Sequence, residues 1–267
     1  MQVEPVVFKL QKLLRMQLDA QKHYLLAVSG GADSLALAHG CAALARSGHG
    51  AYSVCHIEHG LRGAEALRDM QLVQRFCAAY GLPCYVEHVD VRALAAAEHL
   101  SIEDAARRLR YEALRRVAAQ VGAAAIVTAH HEGDQAETVL LKLLRGAGLD
   151  GLSGMRAQQG DILRPLLSLP RELLEQYCAA EQLEFCHDST NDDTAYTRNS
   201  VRKELLPLLA ERYNAEIVPA LARTALLLGE DADFLTQTAD AAYARLVTSA
   251  EDGLHIALKP LLAEHIA

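Results

Sequence analysis

Four short apolar runs, at 24–28, 52–57, 84–89 and 124–128, alternate with longer stretches of helical composition at 34–46, 64–80, 101–120 and 132–145. Strands separated by helix-length segments cannot pair as hairpins. They return in the same direction through helical crossovers, which gives a parallel sheet covered on both faces. The expected fold is therefore α/β, a Rossmann-like parallel sheet with helices on both faces. In such sheets ligands bind outside the carboxyl ends of the strands, so the loops after each run hold the residues of interest.

After about residue 150 the pattern changes. Gly146, Gly148, Gly151, Gly154 and Gly160 punctuate a loop-rich stretch, a helical pattern resumes over 169–181, and a polar segment follows at 187–199. An Ala/Leu-rich helical pattern then fills 214–247. With 267 residues against about 100–200 per domain, the chain divides into a large domain over 1–212 and a smaller helical C-terminal appendage over 213–267.

No apolar run reaches the roughly 20 residues that a membrane span requires, and residues 1–5 show no signal sequence, so no membrane partner and a cytoplasmic location are expected. The six cysteines form no Cys-x-x-Cys pair, which argues against a zinc ribbon or a thioredoxin-type site and reads as ordinary buried thiols. A net charge of −8 gives no global nucleic-acid footprint, so any RNA contact rests on local basic patches. Oligomeric state is not expressed in the pattern.

The first crossover carries Ser29-Gly30-Gly31-Ala32-Asp33-Ser34. A loop between a strand and a helix N-terminus presents unpaired N–H groups and the positive end of the helix dipole, so an anion is its natural occupant. Two glycines let the backbone approach phosphate oxygens, and two serine hydroxyls add donors. Asp33 would repel a phosphate unless a divalent cation lies between them, which points to Mg2+ held with a nucleotide. No lysine is present, so this is not a Walker loop. The plain alternative is a capped strand-to-helix turn.

Other constellations have two readings each. His56 and His59 have ligand-like spacing but no third ligand nearby, and read as structural loop histidines. Arg107 and Arg110 share a helix face and suit a phosphate, or else pair with Glu103 or Asp104 on a solvated face. His130 and His131 end the fourth strand, with Asp134 within one turn; Asp134 is a functional acid or serves the helix dipole. Arg198 and Arg202 share a face of a helix expected over 198–206, to neutralise charge near the α-phosphate or grip an RNA backbone, or else to pair with Glu204 or Asp193. Gly146-Ala147-Gly148-Leu149-Asp150-Gly151 spells Gly-x-Gly-x-x-Gly, but it follows a helix and fails as a dinucleotide fingerprint.

The loop at 29–34 resembles the pyrophosphate-binding loop of the ATP pyrophosphatase superfamily, whose members cleave ATP between the α- and β-phosphates and adenylate their substrate. Further stretches over roughly 22–212 are similar to the tRNA(Ile)-lysidine synthetase branch. They are His56-Ile57-Glu58-His59-Gly60-Leu61-Arg62, Glu103 to Tyr111, Ala129-His130-His131-Glu132-Gly133-Asp134-Gln135-Ala136-Glu137-Thr138 and Leu144-Arg145-Gly146-Ala147-Gly148. Gly151 to Met155, Arg164-Pro165-Leu166-Leu167, Asp188 with Asn191, and Arg198-Asn199-Ser200-Val201-Arg202 complete the series. Glu58 stands where that branch often has Asn.

The resemblance implies ATP and Mg2+ as cofactors, and as partners free L-lysine and an isoleucine tRNA with a CAU anticodon. It implies catalytic roles for Asp33, Asp134, Arg107, Arg198 and Arg202, and ATP binding by Ser29, Gly30, Gly31, Ala32, Asp33 and Ser34. It implies substrate binding by His130, His131, Gln135, Arg110, Arg145 and Asn199. Asp33, Asp134, His130 and His131 are alternative acceptors for the proton of the lysine amine. Three other functions compete: a tRNA thiolase of the same superfamily, which typically brings paired cysteines; an ammonia-using amide synthetase; and a non-catalytic nucleotide sensor. Many members of the branch carry further C-terminal domains.

Overall fold

The computed structural model describes residues 5–61, 63–186, 197–250, 253–258 and 261. The four apolar runs form β1 (His23–Ala27), β2 (Ala51–Glu58), β3 (Cys84–His88) and β4 (Ala125–Val127). They pair in parallel, with Leu25 opposite both Ser53 and Ile126. Two short strands that the sequence pattern does not reveal, β5 (Gln158–Gln159) and β6 (Ile162–Leu163), extend the sheet to the order β3-β2-β1-β4-β6-β5. Strand β6 is parallel to β4, and β5 is an antiparallel edge. At two residues each they are too short for periodicity to mark.

The alternation of side chains along β1 divides the core in two. Leu26 faces a cluster built with α1 (Val6–Gln17), α2 (Ala32–Arg46), α3 (Ala64–Tyr80) and α8 (Arg171–Ala180), and includes Leu10, Leu37, Phe76 and Tyr177. Leu25 faces the opposite cluster, with Tyr111, Leu114 and Val117 of α5 (Ile102–Val121) and Ile126 of β4. Each fully buried leucine contributes about 1.5–3 kcal/mol, and a one-residue slip of β1 would exchange the two sets. Helices therefore cover both faces, as the strand spacing implies.

Helix α5 starts where Ser101 Oγ accepts from the N–H of Asp104 (3.0 Å) and ends at the left-handed Gly122 (φ 66°). Helix α4 (Val91–Glu98), capped by Asp90, and the first helix α1 are additions to the sequence-based reading. Helix α6 (Glu132–Leu144) is followed by the single turn α7 (Leu149–Leu152).

The helix expected over 198–206 is present but interrupted. Helix α9 (Thr197–Ser200) passes into a π turn at Val201–Leu205 before α10 (Leu206–Arg212). Pro207 has no N–H to offer the carbonyl four residues back, and the turn before it widens. The long helix α11 (Ile217–Leu246) packs along α6, with Ile217, Val218 and Leu221 against Ala136, Leu140, Val201 and Leu206. A hairpin of β7 (Val247–Ala250) and β8 (Gly253–Ile256) follows. Among the described residues no helix is long and apolar enough to cross a membrane.

Candidate functional site

The loop after β1 opens onto a cavity of about 230 Å³ at the carboxyl ends of β1 and β4, lined by Ser29, Gly31, Asp33, Ser34, His130 and Asp134 among others. Gly30 takes φ 98°, a conformation that strains any side chain, and its carbonyl accepts from the N–H of Cys186 at 2.9 Å. Ser34 Oγ donates to the carbonyl of Gly31 (2.9 Å) and lies 3.2–3.3 Å from the N–H groups of Ser29 and Gly30. Gly31 is the N-cap of α2 and supplies no side-chain cap, so the first-turn amides of Ala32, Asp33 and Ser34 keep the anion-seeking character of an open helix end.

Asp33 stands in the first turn of α2. Its Oδ1 is buried and has no hydrogen-bond partner among the described residues, and its Oδ2 lies 3.8 Å from His131 Nε2. Burial pushes its carboxyl above the usual range, partly offset by His131 and Arg171. A desolvated carboxylate oxygen without a donor is costly, and a cation is the natural complement. Mg2+ fits these residues, because it binds through one or two carboxylates with phosphate oxygens and waters completing the shell. Among the described residues no group of three or more His, Cys, Asp or Glu side chains forms a protein-only metal cage.

Asp134 sits one turn into α6 at a reciprocal cap. The N–H of Gly133 donates to His131 Nδ1 (3.0 Å), and the N–H of His131 donates to Asp134 Oδ2 (3.1 Å). With Nδ1 accepting, the neutral His131 ring carries its proton on Nε2, which lies 3.6 Å from Asp134 and 3.8 Å from Asp33. Asp134 Oδ1 receives Nη2 of both Arg198 and Arg202 at 3.2 Å. Burial acts to raise its carboxyl, but His131, His130 and Arg198 outweigh that and hold it below the usual range.

Glu137, which no local sequence pattern marks as a site residue, completes this arrangement. It is 1% exposed and accepts from Arg198 Nε (2.7 Å) and from Arg202 Nε. Two carboxylates three apart on α6 thus meet two guanidiniums four apart on the following segment. The partners expected for these arginines differ. Glu204 accepts from Ser200 Oγ instead (2.7 Å), and Asp193 lies outside the described residues, as do Arg62, Asp188 and Asn191. The signal for Glu137 was the matching pair of charge spacings.

Arg107, Arg110 and Asn199 line a second cavity of about 310 Å³ with Arg198 and Arg202, and Arg110, His130 and Asp134 are common to both cavities. The guanidiniums of Arg107 and Arg110 lie 5.3 and 5.2 Å from the Tyr111 ring centre. Asp104 accepts from Ser101 Oγ, and Glu103 lines the same cavity as Arg107. Burial is the main influence that lowers the Arg110 pKa.

Two expected substrate-binding residues stand apart from these cavities. Gln135 is buried and engaged with the Met155 backbone, its Nε2 donating to the carbonyl (3.0 Å) and its Oε1 accepting from the N–H (2.8 Å). Arg145 is exposed just past the far end of α6, about 16 Å along the helix from Asp134 at 1.5 Å per residue. His56 is buried against the Val28 carbonyl (2.9 Å), whereas His59 lines both cavities. Glu58 accepts from the N–H of Gly60 (2.8 Å), shaping the turn.

His130 Nδ1 lies 2.8 Å from Thr128 Oγ1. Its pKa falls to about 3, through burial first and then Arg110, Arg164 and Arg198, with Asp134 opposing. The folded protein therefore keeps this ring neutral while the unfolded chain protonates it near 6.5. Stability is fully present above that pH and declines as pH falls from about 6.5 toward 3, by at most about 1.4 kcal/mol per pH unit from this residue. Denaturant unfolding of His130→Gln across this range should show a shallower pH slope; an unchanged slope would contradict the assignment.

Residues 3–209 match the family model described as PP-loop domain. The chain is 43% identical over 231 residues to the tRNA(Ile)-lysidine synthase of Geobacter sulfurreducens, covering 86% of this chain and 49% of that protein. It is 37% identical over 211 residues to the enzyme of that name from Chlorobaculum tepidum, covering 79% and 64%. The corresponding Clostridium tetani protein is 34% identical, covering 84% and 48%. The chain spans about half the length of most of these relatives. In fold it is similar to the U34-tRNA thiolase NcsA from Methanococcus maripaludis, with a TM-score of 0.70 at 15% identity, over 84% of this chain and 80% of that one. A match over more than three quarters of the sequence, onto a parallel sheet whose first crossover is Ser29 to Ser34, means that this chain belongs to the PP-loop domain family.

Proposed function

We propose that the chain carries the catalytic domain of a tRNA(Ile)-lysidine synthase. In this reading it joins free lysine to C2 of the wobble cytidine of an isoleucine tRNA with a CAU anticodon, consuming ATP and releasing AMP and pyrophosphate. The observation that carries the reading is the unpartnered Asp33 Oδ1 at the side-chain-uncapped start of α2, beside a cavity that adjoins four arginines. The similarity to enzymes of that name over most of this chain supports the choice of reaction.

Ser29 to Ser34 would hold the β- and γ-phosphates through backbone N–H groups and hydroxyls. Asp33 would hold Mg2+, which supplies charge neutralisation along the phosphates. The cytosine O2 attacks the α-phosphorus as the bond to pyrophosphate breaks; the lysine amine then attacks C2, and AMP leaves with the oxygen. Arg107 and Arg110 face the cavity where negative charge develops. Arg198 and Arg202, held by Asp134 and Glu137, complete a wall of fixed dipoles. His130, kept neutral, offers an imidazole to the base without adding positive charge. The base reaches the cleft by leaving its stack, which a single-stranded anticodon loop permits.

Sulfur transfer is less well served. Cys178, beneath the loop, donates its thiol to the Ala32 carbonyl (3.4 Å), and burial pushes that thiol up to about 11, away from the reactive thiolate.

The protein incubated with ATP, Mg2+, labelled lysine and unmodified CAU-anticodon tRNA should transfer label to the RNA, with pyrophosphate release dependent on tRNA. Release without tRNA would redirect the reading to a small-molecule synthetase. No release under any condition would favour a nucleotide sensor.

A further inference from the structure

Arg164 lines neither cavity of the adenylation site, although its charge helps to keep His130 neutral, and its own surroundings are incomplete. It is 2% exposed, at the end of β6. Its Nη1 donates to the carbonyl of Arg156 (2.9 Å) and its Nη2 to Gln159 Oε1 (3.5 Å), while its Nε has no partner among the described residues. Neither acceptor carries charge. A guanidinium this buried, with no counter-anion among the described residues, is the costly arrangement that folded proteins avoid unless something else supplies the anion.

Arg164 lines a cavity of about 600 Å³ between α11 and the segment that carries β5 and β6, within the usual size range of small-molecule sites. Its walls are largely apolar: Met155, Pro165, Leu167, Ala222 and Leu226. Arg156, which lies against Gly229 of α11, is already neutralised by Asp233 at 3.0 and 3.2 Å. The remaining charges of the lining, Glu132, Arg223 and Glu230, are half-buried or exposed, so Arg164 is the deepest charge of this cavity with no ion pair among the described residues. Asp134 and Gln135 are neighbours on α6 that face different cavities, so this space is separate from the loop at 29–34.

We infer that this cavity binds a small monocarboxylate with an apolar tail, the carboxylate pairing with Arg164 and the tail lying against Met155, Leu167 and Ala222. A carboxylate suits the planar guanidinium fork, and the apolar walls favour a tail over a fully hydrated anion. This site is independent of the adenylation reading and stands or falls separately.

The test uses protein labelled at the methionine methyl groups, with Met155 as reporter, titrated with hexanoate, acetate and inorganic phosphate in the presence of saturating pyrophosphate. Hexanoate should shift the Met155 signal saturably and bind at least about tenfold tighter than acetate, because each buried methylene adds affinity. Ala222→Phe, which fills the cavity, should abolish the shift while leaving pyrophosphate release unchanged, and folded Arg164→Gln should weaken hexanoate at least about tenfold. The inference is overturned by no saturable shift, by acetate or phosphate binding as tightly as hexanoate, or by a shift that survives Ala222→Phe.

Discussion

Asp33→Ala should reduce pyrophosphate release by about 10³-fold, the scale on which a preorganised charge-stabilising group acts in phosphoryl chemistry. The same substitution should leave the melting temperature unchanged or raise it. Asp33 holds a buried oxygen with no partner among the described residues, and burial already disfavours its charged form. Alanine removes that cost. It also keeps the helix, because α2 takes no side-chain cap from this position. A folded Asp33→Ala protein that releases pyrophosphate within tenfold of the parent would remove Asp33 from the reaction. A large drop in melting temperature would instead mark it as structural.

Glu137→Ala has the opposite signature. It removes the principal acceptor of two guanidiniums, each 28% exposed at the side chain, and leaves Asp134 Oδ1 alone to balance both. Removing one partner from a buried ion cluster costs about 3–5 kcal/mol, and the partial exposure of the arginines places the expected loss near the lower end, about 3 kcal/mol. Chemical denaturation measures it. Glu137→Gln, which retains one acceptor oxygen, should lose less. A loss under about 1 kcal/mol for Glu137→Ala would mean that water replaces the carboxylate and that the cluster contributes little to holding α9 and the π turn on α6.

What the chain reveals before folding divides along a physical line. The strands at 24–28, 52–57, 84–89 and 124–128 and their intervening helices depend on local periodicity, and each is found within one or two residues. The position of the loop at 29–34 between β1 and α2 is equally legible, although glycines and serines there also suit a plain capped turn, so its place is written in the local pattern and its occupant is not. Strands β5 and β6 escaped, since two residues carry no period and only pairing with β4 makes them a sheet. Glu137 escaped because its partners are 61 and 65 residues away. Arg198 and Arg202 were placed on a shared helix face, but their counter-charges were sought nearby in sequence. Gln135 was grouped with its neighbours His131 and Asp134, yet α6 turns it away, onto the Met155 backbone. A linear motif does not say which side of a helix each of its letters faces.

The imidazole of His131 lies between the acids of two different crossovers, 3.8 Å from Asp33 and 3.6 Å from Asp134, and its other nitrogen is bound to the start of α6. An aromatic ring does not stretch. Anchored through Nδ1 to the N–H of Gly133, it presents one atom, Nε2, to both carboxylates, so a single proton-bearing nitrogen of β4's loop faces the acid of β1's loop and the acid of its own helix together.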